Sequence, residues 1–443
     1  MRIVGWRATL IGFAIIAPGL ASAQESEIVG LREELDALRA DYDARIAELE
    51  RRLAVAEQNA AQATSMAQQP AAPAAAGNAA FNPAIGVIFT GQAWQYGEDP
   101  EGYAVQGFPF GGEAGPIEEG LGLGETEIIM NANVDDKFSA WLTAALALED
   151  GEAVVEIEEA WVEATALPAG FGARVGRFFS GVGYLNEKHR HSWDFADQPL
   201  PYQAFLANQY VDNGIQMRWL APTDLFVELG GELLQGGSYP AAGNAHDGFG
   251  SYSLFARLGG DVGTSHSWLA GVSYLDATAV ERASGDEDDP YLFTGNSTLL
   301  GAQFVWKWAP NGNWKDRNLV LQTEYFVKSD DGEYQLPGGA AAAWDADQAG
   351  WYAQAVYQPR PRWRVGGRID GLSGDDPGAA FDGTLLELPA DDPRRYSLML
   401  DWSNSEFSRL RLQFTRDEAG PVDDNQWGLQ YIHSIGAHGA HSF

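Results

Sequence analysis

The sequence predicts an all-β transmembrane barrel, antiparallel and of about sixteen strands, preceded by an α-helical coiled-coil segment. Three observations carry this. From residue 81 onward the chain breaks into alternating apolar and polar segments of about ten residues, the length a tilted strand needs to cross a bilayer. The connections between them alternate long and short. The last stretch, Asn425 to Phe443, places Trp427, Leu429, Tyr431 and Ile435 on one parity and Gln426, Gln430 and Ser434 on the other, and then ends on an aromatic residue. That alternation fits a strand with one face in an apolar medium and one in water. A membrane barrel needs such a final strand to pair with its first, because no open sheet edge survives in lipid.

The N-terminal part is of a different kind. Residues 1–23 carry Arg2 and Arg7, an apolar run from Ala8 to Ile16, and Ala21-Ser22-Ala23, the pattern of a Sec-type signal peptide that places the mature start at Gln24. With no cysteine in the chain, a lipoprotein anchor, disulfides and thiolate metal sites are excluded. In residues 24–59, Ile28, Leu31, Leu35, Leu38, Tyr42, Ile46, Leu49, Leu53 and Ala56 recur at intervals of three or four, with one stutter between Leu38 and Ile46. This is a coiled-coil seam. A single helix of this length is marginal in water, so the seam is expected to pair with copies of itself. Its core residues leave dimer and trimer both open. Residues 60–80, rich in Ala, Gln and Pro, read as a tether to the barrel, 81–443.

Composition narrows the partners. A net charge of -34 and a pI near 4.4 exclude nucleic acid, since no basic surface is available to displace counterions from phosphates. Cationic or neutral small solutes remain open. Outside the signal peptide no apolar run approaches the ~20 residues of a membrane helix. The mean hydropathy of -0.24 is compatible with a barrel, whose lipid-facing and lumen-facing residues average out. The 15 Trp, 16 Tyr, 21 Phe and 52 Gly suit many strands with aromatic ends.

In order, the predicted strands are 84–96, 121–134, 137–149, 153–166, 170–179, 211–220, 224–235, 251–262, 267–280, 294–308, 319–329, 350–358, 363–371, 395–403, 407–417 and 425–435. Long acidic connections (97–120, 180–210, 236–250, 281–293, 330–349, 372–394) alternate with short turns such as 135–136, 221–223 and 404–406. A β-sandwich would not hold that two-beat rhythm over so many strands. Parity assigns Val365, Leu398, Leu400, Leu410 and Leu412 to lipid.

The same parity assigns Glu125, Glu127, Glu156 and Glu158 on early strands, and Arg364, Arg368, Arg409 and Arg411 on late ones, to the pore lining. Two readings stay open. Either these form opposed acidic and basic walls of a water-filled pore, or they pair with one another and fill the lumen. The longest loop, 180–210, carries Tyr184, Trp193, Tyr202 and other aromatic and proline residues that need a surface to pack on, so it is expected to fold inward as a constriction. Its His189, His191 and Asp194 are candidate zinc ligands, against the reading of histidines hydrogen-bonded at a pore mouth. His438 and His441, with His433, are a second candidate cluster, which needs a bend at Gly436 or Gly439. Ser180 and Ser192 lie near histidines, as a nucleophile near a base would, but at no diagnostic spacing.

The ending resembles the C-terminal signal by which Gram-negative outer-membrane barrels engage the barrel-assembly machinery. The order of signal peptide, short coiled coil, Ala/Pro tether and barrel resembles phosphate-selective and related trimeric porins. The runs GGEAG at 111–115, GRFFSGVGYLNEKHRHSWDFADQPLPYQAF at 176–205, RWLAPTDLFVELG at 218–230 and SIGAHGAHSF at 434–443 are similar to a Gram-negative outer-membrane family labelled zinc-regulated porins, or TonB-dependent receptors. The segment before Phe81 is too short for the plug that a TonB-dependent receptor needs. The resemblance implies a homotrimeric outer-membrane porin, its coiled coil in the periplasm, passing small hydrophilic solutes without enzymatic activity or a required cofactor. It also implies a link to zinc. The chain's acidity favours cations over anions. The alternatives are a plugged barrel that binds or tethers envelope components, and an outer-membrane hydrolase.

Overall fold

The computed structural model describes residues 83–112, 114–149, 152–241, 248–286 and 288–436. The segments read as signal peptide, coiled coil and tether lie outside the described residues, as do His438 and His441.

The strands are β1 (Ala84–Gln95), β2 (Gly120–Leu123), β3 (Thr126–Asn133), β4 (Phe138–Glu149), β5 (Glu152–Ala164), β6 (Phe171–Phe179), β7 (Val211–Leu220), β8 (Phe226–Leu234) and β9 (Ser251–Val262). They continue as β10 (His266–Ser284), β11 (Tyr291–Trp308), β12 (Asn318–Gln335), β13 (Ala341–Arg360), β14 (Trp363–Gly374), β15 (Arg394–Ser405), β16 (Ser408–Asp417) and β17 (Asp424–Gly436). β2 and β3 both pair with β1, through Gly91↔Leu123 and Ile88↔Glu127, and are two halves of one barrel strand interrupted at Gly124 and Glu125. The sheet therefore has sixteen staves. Neighbours in sequence pair antiparallel, and β1 closes on β17 from Gly86↔Gly436 to Gln95↔Trp427.

Closure follows from parity. On β14 to β17 the outward residues Val365, Leu398, Leu412 and Trp427 are 46%, 60%, 43% and 50% exposed, as a lipid-facing band is without its lipid. Their neighbours Arg368, Asp370, Ser397, Arg411 and Gln413 are buried inside. Leu412 sits between Leu400 and Leu429, well away from both rims. Leu412→Lys should cost about 2–4 kcal/mol and lower the temperature at which the barrel loses its heat-modifiable gel migration.

The structure corrects the height of one wall. β10 to β13 are 19, 18, 18 and 20 residues long, so stretches read as loops, 281–293 and 330–349, are largely strand. Alternation continues there because the inward Phe293, Tyr334, Trp344 and Ala346 are buried against Phe381 and Leu386 of the connection before β15. The tall hairpins carry an aromatic cluster of their own beyond the length a bilayer requires.

The connection between β6 and β7 runs inward. It contains a short 3-10 turn, Arg190–Ser192, and one helix, α1 (Leu200–Leu206). Pro201 stands in the first turn of α1, where its missing N–H is no loss, and Ala207 ends it in a left-handed conformation at φ 47. Every residue of α1 is buried. Leu200, Tyr202, Phe205 and Leu206 join Val105 and Phe108 of the first long connection, and Leu299, Phe326, Tyr352 and Leu372 of the wall, in one apolar cluster across the lumen. Each such side chain contributes about 1.5–3 kcal/mol by leaving water.

Candidate functional site in the barrel lumen

The inward segment is held by carboxylates of the wall. Glu324 on β12 accepts the Tyr184 N–H at 2.5 Å, the Tyr202 hydroxyl at 2.8 Å and the Tyr352 hydroxyl at 2.6 Å. Glu232 on β8 accepts the Ser180 hydroxyl at 2.5 Å and the Gly181 N–H at 2.8 Å. Asp370 on β14 accepts the Leu200 N–H at 3.0 Å, at the start of α1.

From there the segment straddles the lumen and meets both charged walls. On the acidic side Arg190 lies 3.3 Å from Glu125, and His191 Nδ1 lies 2.7 Å from Glu127. His189 Nε2 lies 3.0 Å from Glu159, with its Nδ1 at 3.6 Å from Glu127 and 3.8 Å from Glu158. Burial alone would lower the pKa of His189, but the carboxylates of Glu158, Glu159 and Glu127 raise it well above the ordinary imidazole value. For His191 burial prevails over Glu127, and the pKa falls. A bulge on β5 explains the density of acid: Thr143 pairs with Glu159 and Ala144 with Ile157, leaving Glu158 as the extra residue. Both Glu158 and Glu159 consequently face the segment. Glu156 stands apart, half-exposed and 3.6 Å from Arg177.

On the basic side Asp194 is 2.7 Å from Arg364, which also pairs with Asp401. Asp197 is 2.8 Å from Arg368 and 3.3 Å from Arg395. Despite its burial, those two guanidinium groups hold the Asp197 carboxyl below the usual carboxylate range. Arg411 bonds Asp401 at 3.0 Å and donates to the Trp193 carbonyl at 2.6 Å, and Arg409 donates to the His191 carbonyl at 2.5 Å. Asp194 thus parts from the two histidines and belongs to the arginine side. Carboxylates of β3 and β5 meet the segment on one side and arginines of β14 to β16 meet it on the other, and the segment pairs with both. Tyr184 packs beneath Lys188, whose ammonium is 4.9 Å from the ring, and the Trp193 indole donates to the Lys188 carbonyl at 2.7 Å.

Two cavities lie at the short-turn end beneath the segment. The larger, about 1040 Å³, is bounded by Tyr184, Trp193 and the turns near Trp314, Pro361 and Glu406. Its charged lining is Lys188, Lys307, Lys315, Arg362, Arg364 and Arg409 against Asp194 and Glu406. Arg409 keeps a buried Nε–H that no protein group accepts. The smaller, about 690 Å³, is lined by both signs, with Glu187 and Glu228 paired to Arg218 and Arg257. The opposite rim is acidic, with Glu98, Asp99, Glu101, Glu118, Glu119, Asp375, Asp376, Asp391 and Asp392 exposed. The serines considered as nucleophiles are otherwise engaged: Ser180 donates to Glu232 and Ser192 to the His189 carbonyl at 2.7 Å. Sequence reasoning missed Glu159, Glu232, Glu324 and Asp197. Glu232 and Glu324 are acids at lumen-parity strand positions, which was the available signal, whereas Glu159 turns inward only through the bulge.

A closed antiparallel sheet of sixteen staves, apolar outside and charged within, is the barrel of the outer-membrane porins. OmpF of Salmonella typhi, solved in complex with daunomycin, matches it with a TM-score of 0.50 at 9% identity, over 80% of this chain and 97% of that one. The outer-membrane channel DcaP of Acinetobacter baumannii matches with a TM-score of 0.47 at 13% identity, over 80% of this chain and 97% of that one. The likeness to OmpF shows the fold. In sequence, an uncharacterized protein of Aquifex aeolicus (strain VF5) is 32% identical over 354 residues, 75% of this chain and 72% of that protein. The chain belongs to the same family as that protein. No family model matches the chain.

Proposed function

We propose that the chain is a passive diffusion channel of the Gram-negative outer membrane for small hydrophilic solutes, narrowed by the segment 180–210. The observation that carries this is the pairing of a closed barrel, apolar on its outer face, with an open vestibule of about 1040 Å³ at its short-turn mouth. In this reading the short turns face the periplasm and the long acidic loops face outward, as transmembrane barrels are built. Residues 1–23 direct export, the final strand engages the assembly machinery, and 24–59 join three copies through a coiled coil tethered by 60–80.

The vestibule sets the solute class. The formal charge of -34 points to cations, but much of that acidity lies on the exposed long-loop rim, while the vestibule lining carries six basic side chains against two acidic ones. A low-dielectric mouth lined by one sign concentrates the opposite one. Small anions are therefore favoured there. The test is the reversal potential in a planar bilayer under a KCl gradient. The wild type should show anion preference, and Lys307→Glu/Arg409→Glu should shift it toward potassium. Cation preference in both proteins would sink the anion assignment.

The apolar cluster across the lumen favours a second reading, a barrel kept shut by its own segment and used to bind or tether. It predicts no current from either protein.

A further inference from the structure

Where the inward segment touches β3 and β5, three buried ligand atoms face one another without a hydrogen bond among them. Glu127 is 1% exposed, and its Oε2 has no hydrogen-bond partner; the same is true of Glu158 Oε2 and His189 Nδ1. His189 Nδ1 lies 3.6 Å from Glu127 Oε2 and 3.8 Å from Glu158 Oε2, and the three atoms lie within 4.8 Å of one another. These separations are too long for hydrogen bonds. They are near what a shared ion would impose, since two ligands each 2.0–2.2 Å from a tetrahedral zinc stand about 3.3–3.6 Å apart.

The remaining ligand atoms of His189 and Glu127 are already committed. His189 Nε2 lies 3.0 Å from Glu159 Oε2, and Glu127 Oε1 lies 2.7 Å from His191 Nδ1. A carboxylate on the far imidazole nitrogen is the support that metal-binding histidines ordinarily have, and it leaves Nδ1 turned toward the common point. Glu125, whose Oε2 is 3.3 Å from Arg190, adds a further buried oxygen without a partner, Oε1. Four carboxylates thus crowd one patch of wall, and among the described residues Arg190 is the one permanently charged cation bonded to them, so a dication would offset the excess.

We propose that Glu127, Glu158 and His189 bind one divalent transition-metal ion, zinc by chemical preference. An imidazole with two carboxylates suits zinc, whereas calcium and magnesium favour all-oxygen shells. The ion would take the place of a proton on the ring and clip the start of the inward segment to β3 and β5. This set replaces the His189, His191 and Asp194 grouping, because Asp194 is bound to Arg364 and His191 supports Glu127 from outside. The site does not depend on whether the barrel conducts.

The test is calorimetric titration of chelator-stripped, full-length protein with zinc alone, with heat-modifiable gel migration as the check of folding. Saturable binding of one equivalent that survives excess calcium is expected. Glu159→Gln should weaken it about 10–100-fold, Glu158→Gln should weaken it at least as much, and His189→Ala should abolish it. His438→Ala/His441→Ala should leave it intact. Unchanged affinity in folded Glu158→Gln, or loss of all zinc binding in the His438→Ala/His441→Ala protein, would overturn the assignment.

Discussion

Glu324→Ala should release the inward segment and raise single-channel conductance several-fold. The carboxylate accepts one backbone N–H and two tyrosine hydroxyls within 2.5–2.8 Å. Each donor stranded inside the apolar cluster costs about 1–3 kcal/mol. Tyr202 and Tyr352 are fully buried, so water reaches those hydroxyls only if the segment lifts. Once the segment lifts, Leu200, Phe205 and Leu206 lose their cover together. The measurement is conductance in a planar bilayer beside protease sensitivity of 186–206, and both should increase in the variant.

Gly350→Leu should displace α1 from the opposite direction. A Cβ at Gly350 would stand 2.7 Å from Pro201 Cβ, 2.8 Å from the Phe205 ring and 2.9 Å from Leu372 Cδ2, so there is no space for even a methyl group. Overpacking of this kind costs about 1–3 kcal/mol, and the helix is a softer partner than the wall it leans on. Gly367→Leu on β14 is the control, because a Cβ there meets nothing nearer than Leu398 Cδ2 at 3.6 Å. The first variant should unfold at lower temperature and expose the segment to protease; the second should match the wild type.

These two sites show where sequence reasoning reached and where it stopped. Strand positions were legible because each stave records its own environment: on β14 the structure buries Gly366, Arg368 and Asp370 and leaves Val365 exposed, with Trp363, Gly367 and Ile369 partly exposed on the same side. The tall hairpins were not legible, since Tyr334 and Trp344 occupy stretches whose acidic and small residues resemble a loop. Phe381 and Leu386, distant in sequence, complete the cluster on which those rings pack. The bulge that turns both Glu158 and Glu159 inward depends on register with β4. Asp194 and His191 are three residues apart yet end on opposite walls, because a segment crossing the lumen separates what its sequence places together. Glu324 looked like any polar position on β12, and its role appears only once Tyr202 arrives from 122 residues away.

The most direct test of the central claim is single-channel recording of the purified full-length protein in a planar bilayer. The account predicts small, discrete current steps in the wild type at both polarities. A silent bilayer, with the reconstituted protein still migrating as a heat-modifiable barrel, would contradict it.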